Sequence, residues 1–334
     1  MPPSISGTPS PISEHRRPNE RPLLVVVIGP TAVGKTALSI DIAQHLSCEI
    51  VNADSRQVYQ GMPIGTAQPT ETERSSVPHH FVDFIAPDEL YSAGQFESDA
   101  LTWLDTWFAT RRCAVLSGGS GLYVKAVMDG LDPVPADLGI RTQLNERFQK
   151  GGLEPLVEEL RSLDPEHAAK MDTQNPQRVI RALEVCLASG RPFSSFHSST
   201  KAERPFDTLV IGLRRDRSEL IERINMRVDA MMEAGLEAEV QSLQTHWNEN
   251  ALQTVGYREW TPYFEGKASK EEVTEEIKLR TRQFAKRQMT WFQRMDNVQW
   301  FHPDDTENII EALRVECAQR GWELMAPSEF KHGE

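Results

Sequence analysis

Apolar and polar positions along this chain follow two textures. Residues 25–28, "VVVI", form a short β-branched run of the kind buried on both faces of a parallel sheet. Apolar residues then recur at helical spacing from Thr36 to Leu46. "CEIVNADS" reads as a second strand ending near Asp54, and "HHFVDFI" as another strand. "SAGQFESDALTWLDTWFATRR" has the period of an amphipathic helix, with Ser92 as its start signal. "CAVLSGGSGLYVKAVMDGL" is strand, glycine turn and helix. Strands alternating with helices predict a parallel sheet covered by helices on both faces.

After Pro133 and Pro135 the texture changes. Residues 137–200 are polar, helical in period, and broken at Gly151-Gly152 and Asp164-Pro165, which predicts an inserted all-helical subdomain. "FDTLVIGLRRD" returns to strand, residues 217–295 are mostly helical, and "NVQWFHP" is a last strand. The expected organisation is a tail over 1–22, a core in two parts at 23–136 and 201–302 around the insertion at 137–200, a basic helix at 274–294, and a C-terminal extension at 303–334. No internal repeat is evident.

Composition narrows the class. With 39% hydrophobic and 25% charged residues, the 334-residue chain can bury a sizeable core. No apolar run approaches the roughly 20 residues that span a bilayer, so no membrane association is expected. Residues 1–22 are rich in Pro and Ser and lack an apolar stretch, which reads as a disordered tail rather than a secretory signal. Cys48, Cys113, Cys186 and Cys317 lie far apart with no Cys-x-x-Cys, so reduced thiols in a cytoplasmic protein are expected. The net charge of −13 argues only weakly against a nucleic-acid partner, because a basic stripe on an acidic protein still attracts phosphates.

The first chemical signal is Gly29-Pro30-Thr31-Ala32-Val33-Gly34-Lys35-Thr36, which fits G-x-x-x-x-G-K-[ST] between a strand and a helix. Its glycines let backbone amides wrap an anion, Lys35 supplies a point charge, and Thr36 offers a hydroxyl to Mg²⁺. The helix that follows points its positive end at the same anion. The fold class is therefore α/β, a P-loop NTPase-like parallel-sheet core with an inserted helical subdomain. A nucleotide hydrolase would usually add an aspartate at the end of a later buried strand. Here "CAVLSGG" runs into Ser117-Gly118-Gly119-Ser120 without a carboxylate. The acid is instead Asp54, after the second strand, at the carboxyl edge where open α/β sheets bind ligands. From the residues alone it could be a metal-shell ligand, a general base or a turn cap. The pattern favours a kinase-like transferase or an enzyme that discards pyrophosphate.

"GPTAVGKT", "ADSRQVYQGMPIGTAQP", "VPHHFVDF", "YSAGQFESDA", "GGSGLYVKAV", "NPQRVIRALEV", "VGYRE" and "QFAKRQMTWF" occur in this order across most of residues 23–302. In this the chain resembles the tRNA dimethylallyltransferases (isopentenyltransferases). The resemblance implies that the phosphate loop holds the diphosphate of dimethylallyl diphosphate. It implies that the five-carbon group passes to N6 of the adenosine beside the anticodon, and that pyrophosphate leaves with Mg²⁺. It assigns the base role to Asp54, places Ser120 near the reacting centre, and matches Arg227 to the arginine facing the diphosphate. With Lys35 these form the expected catalytic set. Arg223 stands one helical turn before Arg227; either arginine alone would read as a solvated surface residue.

On the RNA side the resemblance implies contacts from Asp54, Ser55, Arg56, Gln57, Ser120, Arg141 and the run Gln177, Arg178, Val179, Ile180, Arg181. Residues 278–294 carry Lys278, Arg280, Arg282, Lys286, Arg287 and Arg294 with no acid among them. Lys278, Arg282 and Lys286 recur every four residues, which predicts one phosphate-tracking face, and Lys286 and Arg287 are expected to touch tRNA. The interleaved Phe284, Trp291 and Phe292 read as core rather than as stacking platforms. A monomer is expected.

Three positions depart from the family pattern. Gln68 stands where lysine is common, Ser120 where many members have threonine, and no basic residue immediately precedes Val255. Ser120 is shared with relatives that prenylate free adenine nucleotides, so an adenylate isopentenyltransferase acting on AMP, ADP or ATP is the first alternative. A P-loop small-molecule kinase is the second. A nucleotide-switched RNA-binding protein is the third, and the absence of an Asn-Lys-x-Asp base-reading motif speaks against a GTP switch.

Overall fold

The computed structural model describes residues 21–196, 201–324 and 326. All but the last two residues of the expected tail lie outside the described residues, as do Met325 and the last eight positions of the chain. The chain divides into two compact units, one formed by Met1–Asp129 with Glu203–Glu334, the other by Gly130–Ala202.

The larger unit is built on six parallel strands. They are β1 (Leu23–Ile28), β2 (Ile50–Asn52), β3 (His79–His80), β4 (Cys113–Gly118), β5 (Asp207–Leu213) and β6 (Val298–Phe301), in the order β3-β2-β4-β1-β5-β6. β1 is central and buried at every position, as its branched apolar run requires. Its register sets Ile28 beside Gly118 of β4 and Gly212 of β5, so three strands end together at the carboxyl edge.

Helices cover both faces. α1 (Lys35–Leu46) packs Leu38, Ile42 and Ala43 on the face formed by Leu23, Val25, Val27 and Val115. After the short α2 (Glu71–Ser76), α3 (Ala93–Phe108) and α4 (Gly121–Asp129) cover the opposite face through Phe96, Leu104, Tyr123 and Val127. α3 begins at Ser92, which closes a capping box with Gln95.

The smaller unit holds α5 (Leu138–Gly151), α6 (Glu154–Leu163), α7 (Pro165–Lys170) and α8 (Pro176–Ser189). Its own core is formed by Leu144, Leu156, Leu160, Val179, Ile180 and Leu183. Back in the larger unit come α9 (Arg217–Glu233), α10 (Leu236–Ser242), α11 (Thr261–Phe264), α12 (Lys270–Phe292) and α13 (Thr306–Gln319). α9, α10 and the start of α12 share a core with Val58, Tyr59 and Met62 from the loop after β2.

Two expectations are corrected. "HHFVDFI" is not a strand beyond His79–His80, because Phe81 and Asp83 take left-handed backbone angles (φ 64 and 57) that no ladder accommodates. The segment after residue 302 is more than an extension. α13 buries Ile309, Leu313 and Cys317 in the same core as α1. All four cysteines are buried free thiols. No helix among the described residues is long and apolar enough to cross a membrane.

Candidate functional site

The phosphate loop leaves β1 at Gly29, whose φ of 151° and closeness to Leu213 O (2.8 Å from a would-be Cβ) exclude a side chain. Gly34 (φ 115°) turns the chain into α1, and no side chain caps that helix start. The first-turn amides are therefore available to an anion. Lys35 Nζ donates to Pro30 O at 2.9 Å. Burial pushes its ammonium down to about 8; nearby Asp54 opposes that shift and Arg227 adds to it.

Asp54 follows β2. Its Oδ1 accepts from the amides of Arg56 (2.9 Å) and Gln57 (3.4 Å), which fixes the carboxylate. The Ser55 amide donates to Ser120 Oγ at 2.9 Å, and Ser120 donates to Ser55 Oγ at 3.1 Å, so the loops after β2 and β4 are stitched together. Gly118 has no room for a side chain, since a Cβ would lie 2.0 Å from Ala53 O.

The rest of the "SRQVYQGMPIGTAQP" segment is held by side chains whose purpose its sequence did not reveal. Gln57 Nε2 donates to the carbonyls of Thr66 and Ala67. Gln68 is buried and donates to the carbonyls of Gln57 and Tyr59, so it braces this loop. Glu239 accepts from the amides of Ile64 (2.7 Å) and Gly65 (2.8 Å) and from Tyr257 Oη (2.6 Å). The "VGYRE" motif is thus an anchor for that loop, completed by buried Glu259, which accepts from the Gly256 amide.

From α9, Arg223 donates to Ala32 O (2.9 Å) and Arg227 to Thr31 Oγ1 (3.2 Å), so both reach the phosphate loop. Burial, then Arg223, lowers the affinity of Arg227 for its proton. Neither is the isolated surface residue that each alone would suggest. These elements line one cleft of ≈ 1300 Å³. Seven of its lining side chains are cationic (Lys35 and six arginines) and three are carboxylates (Asp54, Glu71, Glu73), so it is locally positive on a chain of net charge −13.

α12 closes this cleft, and here the expectations divide. Lys278 pairs with Asp229 (2.7 Å) and Glu275 (2.9 Å) and is only 13% exposed. Arg280 pairs with Glu276, and Arg282 donates to Asn225 on α9. The expected phosphate-tracking face of Lys278, Arg282 and Lys286 is therefore corrected: its first two members bind α12 to α9 and to its own turns. Lys286 and Arg287 are exposed. Phe292 is core, but Phe284 (37% exposed) and Trp291 (41%) line the cleft, which corrects their assignment to the core.

Sequence reasoning missed Gln288. It lies on the buried stripe Val273, Ile277, Ala285, Phe292, and a polar residue on such a stripe is the available signal. Its Oε1 accepts from the Thr31 amide (2.8 Å), and its Nε2 donates to Gly119 O (2.9 Å).

In the helical unit, Glu184 is fully buried and receives Arg141 (2.6 Å), Arg181 (3.0 Å) and the Asp137 amide (2.9 Å). Val179 and Ile180 place their side chains in the core of this unit, so of these two residues only the backbone could meet RNA. Gln177 and Arg178 are exposed. Elsewhere, Glu219, His302 and Asp304 cluster closely enough to suggest a metal centre, but Arg215 already pairs with both acids.

Comparison with known proteins adds to this geometry. Residues 57–295 match the family described as IPP transferase. A tRNA dimethylallyltransferase of Cytophaga hutchinsonii is 46% identical over 297 residues, covering 89% of this chain and 98% of its own. The crystal structure of a tRNA isopentenylpyrophosphate transferase from Staphylococcus epidermidis superposes with a TM-score of 0.65 at 34% identity, covering 90% of this chain and 100% of that one. A eukaryotic dimethylallyltransferase acting on tRNA gives a TM-score of 0.75 at 25% identity, over 91% of this chain and 81% of that one.

Proposed function

The chain belongs to the IPP transferase family, its reaction is tRNA prenylation, and we propose that it moves a dimethylallyl group from dimethylallyl diphosphate to N6 of the adenosine 3′-adjacent to the anticodon. In this reading the loop Gly29–Thr36 grips the diphosphate. Lys35, the loop amides and Arg227 stabilise the charge that grows on it as the allylic C–O bond breaks. The exocyclic amine of adenine has its lone pair delocalised into the ring, so it sheds a proton as it attacks. Asp54, held rigid by two amides, takes that proton. The Ser55–Ser120 stitch keeps the base-bearing loop aligned with the donor.

The oxygen donors near the loop suit a hard cation such as Mg²⁺, which binds through few protein oxygens plus phosphate and water. Thr36 is the residue whose hydroxyl would hold it, and the ion would add positive charge to the departing diphosphate. The acceptor adenine must leave its stack to reach Asp54, and an anticodon loop is the single-stranded target that permits this. Arg56, Lys286 and Arg287 supply phosphate contacts. The protein acts as a cytoplasmic monomer.

One observation supports the reading: the phosphate loop, Asp54 and the Arg287 end of α12 line a single cationic cleft on an acidic protein. The test is an acceptor competition. Protein, Mg²⁺ and radiolabelled dimethylallyl diphosphate are offered an unmodified anticodon stem-loop or AMP. Label in the stem-loop alone is expected. Label in AMP alone would make it an adenylate isopentenyltransferase. Label in neither would return the site to phosphoryl transfer or nucleotide switching.

A further inference from the structure

Gln288 is buried to 7% exposure, and its carboxamide bridges two loops that carry opposite halves of the site. On one side Thr31 belongs to the phosphate loop; its amide donates to Gln288 Oε1, and its hydroxyl receives Arg227. On the other side Gly119 receives Gln288 Nε2, and the next residue, Ser120, is stitched to Ser55 beside Asp54. The fit leaves no slack. A Cβ at Gly119 would stand 2.4 Å from Gln288 Nε2, and one at Gly121 would stand 2.2 Å from the Trp291 ring, one turn further along α12. The same helix exposes Lys286 and Arg287 immediately before Gln288.

We infer that Gln288 is a positioning residue: it sets the spacing between the diphosphate loop and the base-bearing loop, and through α12 couples that spacing to RNA docking. The inference rests on the reading of the cleft as a donor and RNA site. A buried carboxamide with both ends satisfied loses a full hydrogen bond, without recourse to water, if either loop drifts. It therefore favours one relative placement of Thr31 and Gly119. RNA phosphates that settle on Lys286 and Arg287 hold α12 in place, and α12 holds Gln288. Donor and RNA then bind cooperatively, and by linkage the effect is mutual.

The test measures affinity for an unreactive thio analogue of dimethylallyl diphosphate by calorimetry, with and without a saturating anticodon stem-loop. In the unaltered protein the stem-loop should tighten analogue binding about 10-fold. In Gln288→Met, nearly the same length but without polar atoms, the stem-loop should leave analogue affinity unchanged, while the stem-loop alone binds within about twofold of the unaltered protein. Should Gln288→Met fail to fold, Gly119→Ala displaces the carboxamide without altering Gln288 and should abolish the coupling in the same way. Coupling of undiminished size in the variants, or none in the unaltered protein, overturns the inference. Failure of the analogue to bind the unaltered protein at all would overturn the donor reading itself.

Discussion

Gly65 lies flat against the ring of Tyr257, so close that a Cβ would stand 2.6 Å from Tyr257 Cε2 and Cζ. Tyr257 cannot retreat. It is fully buried, and its hydroxyl donates to Glu239, which also holds the amides of Ile64 and Gly65. Gly65→Ala should cost about 2 kcal/mol, the usual price of overpacking a rigid site. Urea unfolding reads this directly, and a cost near zero would mean that the loop is not pinned by the ring.

Lys35 should give the enzyme an alkaline limit. With its ammonium held near 8 by burial, the free protein loses a positive charge at the phosphate loop as pH rises through that value. Donor kcat/KM should fall above about pH 8, and Lys35→Arg should remove that fall while lowering activity overall. A pH profile of both proteins checks this.

The same shift makes a stability prediction of defined sign. Because the folded-state value lies below the ordinary 10.5, the unfolded chain holds the proton more tightly between about pH 8 and 10.5, and stability rises with pH across that window. Below it, the buried ammonium destabilises the fold. Lys35→Met should raise stability at pH 7 by about 1 kcal/mol, after allowing for the lost hydrogen bond to Pro30. Melting curves at pH 7 and pH 10 should show that benefit shrinking with pH.

Asp54→Asn keeps the shape of the side chain and its acceptor for the Arg56 amide, but removes the carboxylate proposed as the base. The single-turnover rate should fall about 10²- to 10³-fold, with donor and stem-loop affinities within about threefold of the unaltered protein. Equal losses in rate and stem-loop affinity would make Asp54 an RNA contact instead.

Lys286→Ala combined with Arg287→Ala should weaken stem-loop binding and reduce the slope of log affinity against log salt by about 1.5. Lys278→Ala should leave that slope unaltered, because Lys278 is engaged by Asp229 and Glu275, and should lower stability instead. A filter-binding salt series separates the two roles.

What was legible in the sequence is what local chain physics encodes. β1, Gly29, Gly34 and α1 follow from an apolar branched run, two positions needing left-handed or extended glycine geometry, and helical period. Ser92 announces α3 because a cap acts on amides three residues away. The family motifs brought Asp54, Ser120 and Arg227 together on paper. Tertiary structure decided the rest, because those roles depend on partners distant in sequence. Gln288 meets Thr31 across 257 positions, and Arg282 meets Asn225 across 57. Whether a lysine on α12 faces RNA or an aspartate, whether Trp291 is core or cleft, and whether the segment after 302 packs on the sheet are settled by which surfaces come to lie against them. A pattern of charges and periods cannot hold that information, since a solvent-facing cation and an ion-paired one have the same letter and the same spacing.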